Sequence, residues 1–203
     1  TPSRATGGQV IDGSLNFSGG YLKRTPGSAG NRKTFTWSAW VRLNELASFY
    51  LFNVPDSSGH ASFMFDSGQL RWNTYSTSTN GLFTSNAYFR DTGWYHVVFA
   101  FDATESTTTD RIKVYVNGER LISSSYTDGS DSPVNNTVEH NLGAIQGGVS
   151  GDVNISNNYL IDGQALGPEY FGFSDGLTNT WKPKKYEGTF GTNGFWLPMD
   201  GST

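Results

Sequence analysis

The sequence predicts an all-β protein, a sandwich or barrel of about a dozen short strands. Three observations predict it. Turn signals rich in Gly, Asn, Asp and Ser recur at roughly 8–12-residue spacing along most of the chain. The segments between them alternate apolar and polar residues with the period of two that a strand imposes. No segment longer than one turn carries a convincing 3.6-residue period.

The central element is Gly93 to Gly118. Its first run, Trp94 to Asp102, is apolar on both alternating faces, with Trp94, Val98 and Ala100 on one and Tyr95, Val97, Phe99 and Phe101 on the other. A strand of that kind is covered on both sides and sits centrally in a sheet. After the polar loop Ala103 to Asp110 comes a cleanly alternating run, with Ile112, Val114 and Val116 against Arg111, Lys113 and Tyr115. Asn117-Gly118 supplies the positive φ angles of a type I′ turn, and Glu119 to Ile122 returns as a third strand. Trp37, Trp94, Val98, Ile112, Val114 and Val116 are the expected core.

In chain order, residues 1–13 read as an N-terminal arm, polar and glycine-rich. Ser14 to Phe17 and Tyr21 to Lys23 are short strands around Ser18-Gly19-Gly20. Thr34 to Leu43 is a long strand with Phe35, Trp37, Ala39 and Val41 on one face and Thr36, Ser38, Trp40 and Arg42 on the other. Tyr50 to Val54, Ala61 to Phe65 and Gln69 to Tyr75 are further strands, the last two joined by the turn Asp66-Ser67-Gly68; Leu82 to Phe89 is broken strand. Thr137 to Leu142 and Gly151 to Ile161 complete the set. Pro168 at the first helical position and Gly172 as a stop predict one helical turn. The tail from Trp181 to Pro198 is extended and holds two prolines there that favour edge strand or coil.

The 203 residues suit one large domain with a core that needs no staples. With no cysteine, disulfides and thiolate metal sites are excluded. A net charge of −4, with no basic cluster larger than Lys182-Pro183-Lys184-Lys185, argues against nucleic acid as a partner. No apolar run approaches the ~20 residues of a membrane helix, so insertion into a membrane is not expected. The polar start Thr1-Pro2-Ser3-Arg4 shows no signal peptide, and a start without Met suggests a processed or trimmed chain.

Phe35 to Val41, Gly93 to Val98 and Val114 to Gly118, in that order and spacing, resemble the laminin-G-like, concanavalin A-like family. The resemblance implies a two-sheet antiparallel jelly-roll sandwich over residues 14–166, followed by an extended segment, 167–203, that packs on the domain or leaves it. Tyr159 to Leu166, Phe171-Gly172, Trp181 to Tyr186, Gly191 to Phe195 and Tyr21 to Pro26 resemble a subgroup of structural proteins of marine tailed phages. That implies a place on the virion surface, in capsid decoration or a fibre, with other virion proteins as partners in a homo-oligomer or lattice. Chains of the subgroup often continue past this point, so this chain is expected to be one domain of a longer protein. The alternative is a carbohydrate-binding module of a fibre or secreted protein, because the fold hosts lectins, glycosidases and adhesion modules alike.

Glycosidases on this fold carry Glu-x-Asp-x-x-Glu, which sets two carboxylates on one face as acid and nucleophile or base. Glu45, Glu105, Glu119, Glu139, Glu169 and Glu187 show no such pattern, and no enzyme is expected. Gly172-Phe173-Ser174-Asp175-Gly176 matches G-x-S-x-G by chance, because no helix can follow it. His96, on the central strand, reads as a packed, hydrogen-bonded histidine; His60 falls in a glycine-containing turn, and nothing pairs it with His96 or His140. The family resemblance leaves calcium open, through Asp102, Asp110, Asp128, Asp131 and Asp152, but no loop has the alternating Asp/Asn spacing of a calcium loop, and solvated turns are the simpler reading.

A glycan site, if present, centres on Trp72, Asn73, Tyr75 and Asn80, where rings to stack on a pyranose mix with amides to read hydroxyls. The competing reading places Trp72 in the core. Asn16, Asn135 and Asn154 begin N-x-S/T sequons, which mean nothing in a phage protein and could carry glycans in a secreted eukaryotic one.

Overall fold

The computed structural model describes residues 8–57, 59–76, 80–127, 131–145, 148–149 and 151–201. The chain opens with β1 (Leu15–Phe17) and β2 (Leu22–Arg24), then the longer β3 (Thr34–Leu43), β4 (Phe49–Asp56), β5 (Gly59–Asp66) and β6 (Gln69–Ser76). Next come β7 (Asn80–Ser85), β8 (Trp94–Asp102), β9 (Ile112–Val116), β10 (Glu119–Arg120) and β11 (Ser123–Thr127). They are followed by β12 (His140–Leu142), β13 (Ala144–Ile145), β14 (Gly148–Val149) and the long β15 (Val153–Asp162). The C-terminal part adds β16 (Gly172–Ser174), β17 (Trp181–Pro183) and β18 (Phe195–Leu197). Single 3-10 turns at Thr108–Asp110 and Pro168–Tyr170 are the only helical pieces among the described residues, so none is long and apolar enough to cross a membrane.

Two seven-stranded antiparallel sheets carry the fold. The first runs β1-β15-β3-β8-β9-β10, with β18 pairing the second half of β15, and the second runs β11-β7-β6-β5-β4-β12-β2. This is the jelly-roll sandwich expected from the sequence. The meander β8-β9-β10 forms as expected, with Asn117 at φ 49° and Gly118 at φ 88° in its second turn. Three expected strands are shorter: β10 ends at Arg120, β12 starts only at His140, and β7 stops at Ser85, where the chain leaves the sheet with the Phe89 N–H bonded to the Gly68 carbonyl at 2.7 Å.

The core is an aromatic layer between the sheets. Phe35, Trp37, Phe99 and Phe101 of the first sheet meet Phe52, Phe63 and Trp72 of the second, all essentially inaccessible. Phe63 stacks on Phe99 with centroids 4.8 Å apart and rings 13° from parallel. Ile112, Val114 and Val116 of β9 point into the same layer.

A second, smaller cluster explains why β8 is apolar on both faces. Val98 lies outside the sandwich and packs with Tyr159, Ile161, Phe171 and Tyr186. The segment after β15 therefore folds back over the outer face of the first sheet and forms a third layer. It also covers outward-facing polar residues: Thr36 Oγ1 donates to the Gln164 carbonyl and accepts the Leu166 N–H, both at 2.7 Å. The described end of the N-terminal arm joins this layer, since the Gln9 N–H reaches the Pro183 carbonyl at 2.9 Å and Ser156 Oγ bonds the Gly13 carbonyl at 2.5 Å.

Trp94 departs from the expected core. It is 40% exposed, because it begins β8 on the outer face, opposite Arg42, where the third layer no longer covers it.

Candidate functional site

The outer face of the second sheet holds a polar trough. The register aligns Asn53 of β4, Ser62 of β5 and Asn73 of β6 in one cross-strand row, and Pro55, His60 and Tyr75 in the next. All of these side chains point away from the aromatic core because strand residues alternate in direction and their neighbours Phe52, Val54, Ala61, Phe63 and Trp72 are the ones packed in that core. Together with Tyr50 and Asp56 they line a cavity of ≈370 Å³, within the range of small-ligand sites, about 300–1,000 Å³.

The polar groups of this trough are partly preset. His60 stacks on Tyr75 at 5.9 Å with rings 22° apart. Asn73 Nδ2 lies 3.1 Å from His60 Nε2, and as an amide N–H it donates, which makes that ring nitrogen the acceptor. Partial burial holds the His60 pKa below its ordinary value, so the ring stays neutral at pH 7. Asn53 is 4% exposed; its Nδ2 donates to the Ala61 carbonyl at 3.3 Å, while its Oδ1 is buried and without a hydrogen-bond partner among the described residues. Asp56, at the rim, accepts Asn136 Nδ2 at 3.3 Å.

Of the residues expected from the sequence to bind a glycan, Asn73 and Tyr75 are here, and Tyr75 is 46% exposed. Trp72 is not available to a ligand. It is fully buried on the opposite face of β6, packed against Phe63 at 4.6 Å, because it lies an odd number of residues from both Asn73 and Tyr75. Asn80 pairs with Tyr75 in register, and its side chain lies outside the described residues. His60 is a further correction: it sits on β5 in the trough, not in a turn. Asn53 and Ser62 are not among the residues expected from the sequence, although a signal for them, and for the place of His60, exists there. The turn at Ser67-Gly68, both at positive φ, pairs Asp66 with Gln69, and counting outward in step sets Ser62 opposite Asn73 and His60 opposite Tyr75.

Elsewhere, His96 is the packed histidine expected. It is 1% exposed, between Ser38 and Trp181. Ser174 opens a turn that returns as β17, so no nucleophile elbow forms. The carboxylates considered for calcium are dispersed: Asp110 pairs with Arg120, Asp131 with Arg32, Asp102 binds Thr104, and Asp152 is held by the Asn16 and Asn44 amides. Asp128 lies outside the described residues. No three His, Asp or Glu side chains gather as a metal cluster among the described residues. Asn135, in one of the sequons, is fully buried and inaccessible to glycosylation.

A family model of the laminin-G type, described as the concanavalin A-like lectin/glucanases superfamily, matches residues 16–158, well over half of the chain. The chain belongs to that superfamily. The match covers both sheets up to the middle of β15, so the third layer of this superfamily member lies beyond it. No curated protein matches the sequence. Among solved structures, the chain is similar to a heptameric SAP-like pentraxin from Limulus polyphemus, at 16% identity over 78% of this chain and 79% of that one, TM-score 0.54. It is also similar to the binding domain of Paraclostridial Mosquitocidal Protein 1, at 16% identity over 81% and 44%, TM-score 0.55. A third is botulinum neurotoxin type C, whose cell entry depends on interaction with two ganglioside molecules, at 12% identity over 77% and 40%, TM-score 0.51. The chain thus spans less than half the length of the two toxin chains. At these identities the likeness concerns the fold.

Proposed function

We propose that this chain is a non-enzymatic binding module of a tailed-phage virion surface, a decoration or fibre domain whose trough takes a host-surface glycan. One observation carries the glycan reading. The trough brings the exposed Tyr75 ring, stacked on His60, into one wall with the Asn73 amide. The amide can donate to and accept from sugar hydroxyls. The ring supplies the apolar face that a pyranose stacks on. The virion part of the proposal rests on the segments Tyr159 to Leu166 and Trp181 to Tyr186, which resemble phage structural proteins. A shallow site of this size is weak by itself. Display in many copies on one particle makes weak contacts add up, which fits a homo-oligomer or lattice.

The test is an array of host-surface oligosaccharides probed with the wild-type chain and with Tyr75→Ala combined with Asn73→Ala. Loss of about tenfold or more in affinity, at an unchanged melting temperature, is expected. If the wild type binds no glycan, or the double variant binds as well as the wild type, the trough is not the site. Proteomics of separated heads and tails places the chain on the particle or excludes it.

A further inference from the structure

The other side of the molecule has a feature the trough does not use. Trp40, Trp94 and Trp181, half of the six tryptophans, line two adjoining cavities, one of ≈480 Å³ over the outer face of the first sheet and one of ≈690 Å³ that runs on to the edge of the sandwich, where Phe89, Tyr95 and Leu121 also line it. They come from three separate places: Trp40 from β3, Trp94 from the start of β8, and Trp181 from β17 in the third layer.

Two of the rings are locked. Trp181 donates its indole N–H to His96 Nδ1 at 2.9 Å and stacks on that imidazole 23° from parallel. Its ring lies against the backbone of Gly118 and Gly172, where an added Cβ would stand only 2.5 Å from ring atoms. Trp40 lies against the same imidazole with centroids 5.3 Å apart. The third, Trp94, is open to solvent. Large indoles are usually buried, and one left exposed beside two fixed ones is a surface prepared for contact.

The polar groups of the walls narrow the chemistry. Asp12 borders one cavity and Glu119 and Asn179 the other, all exposed, and no described lining residue is a lysine or arginine. Carboxylates and an amide accept from and donate to vicinal hydroxyls, while indole faces meet the C–H face of a pyranose. An acyl chain would have to desolvate the carboxylates, and an anionic sugar would be repelled by them.

We propose that this groove is a second carbohydrate site, separate from the trough and on the opposite sheet, and that it takes a neutral linear oligosaccharide. It stands independently of the trough, since the two sites share no residue.

The experiment titrates the full chain with cellohexaose, mannohexaose and maltohexaose, and with oligogalacturonate as the anionic control, reading intrinsic tryptophan fluorescence and calorimetry. At least one neutral hexasaccharide is expected to bind and shift the emission. Trp94→Ala, at an exposed position that leaves the fold intact, is expected to weaken that binding about tenfold or more, and Tyr75→Ala to leave it unchanged. The proposal is overturned if none of the neutral probes binds, if Trp94→Ala binds as the wild type does, or if Tyr75→Ala abolishes the signal, which would send the sugar to the trough. Equal binding of oligogalacturonate overturns it too. So does a change of sedimentation with Trp94→Ala and no sugar effect, which would make the groove a contact between copies.

Discussion

Trp181 donates its indole N–H to Nδ1 of His96 at 2.9 Å, across 85 residues of chain. An indole can only donate, so Nδ1 is the unprotonated nitrogen and Nε2 carries the hydrogen, which it gives to Ser38 Oγ at 3.0 Å. The neutral imidazole thereby fastens the third layer to the first sheet. Asn117 Oδ1 accepts the His96 backbone N–H at 2.8 Å, so the turn that ends β9 is tied to the same residue.

This arrangement predicts acid sensitivity. Burial lowers the His96 pKa from its ordinary 6.5 to about 3 and that of His140 to about 4. Between those values and 6.5 the unfolded chain binds protons that the folded chain refuses, so stability is unaffected above pH 6.5 and falls as pH drops below it. Each histidine is expected to cost about 2 kcal/mol by pH 5. Urea midpoints measured from pH 8 to 5 check this, and His96→Gln should flatten part of the slope. Equal midpoints at pH 7 and pH 5 would contradict the buried neutral state.

Val114→Asp should prevent folding. Val114 is wholly inaccessible, and an unpaired carboxylate there costs several kcal/mol against a net stability of about 5–15 kcal/mol. A soluble variant with an unchanged melting temperature would refute the position of β9. Trp72→Ala should likewise lower stability by about 3–5 kcal/mol, as a core residue does and a surface ligand contact does not.

Asp162 is expected to hold the ends of the chain together. Its Oδ1 accepts the Asn31 N–H at 2.7 Å and Asn135 Nδ2 at 3.1 Å, and its Oδ2 accepts the Asn193 N–H at 3.0 Å. Asp162→Ala leaves these donors without acceptors, a loss of about 3 kcal/mol. Hydrogen exchange should accelerate at Asn31 and Asn193 well before the centre of β3 changes. Uniform protection across the variant would show that the carboxylate is dispensable.

The domain should release no reducing sugar from β-glucans. Asp56 is the one carboxylate among the described residues lining the trough, and glycoside cleavage by the usual routes needs two. Sustained turnover that disappears when one glutamate becomes glutamine would make the protein an enzyme.

The alternation of Phe35, Trp37, Ala39 and Val41, the two apolar faces of β8 and the Asn117-Gly118 turn were enough to read strands, a sandwich and most of the core from the sequence. Side-chain direction in a strand is local and repeats every two residues, so it is written residue by residue. That β8 is covered twice was also legible. What covers it was not, because Val98 meets Phe171 and Tyr186 through a fold-back of the chain that no local period encodes. The same limit divides the candidate site. Asn73 and Tyr75 were visible as a polar and aromatic pair on one strand, while Trp72 beside them was left between two readings until the sheets packed and took it into the core. Asn53 joined the site only when β4 lay beside β5, and Trp40, Trp94 and Trp181 became one groove only when the third layer closed over the first sheet. The sequence by itself determined the strands and their faces. Tertiary structure alone decided which faces met and which were left open to a ligand, because those contacts join residues far apart in the chain.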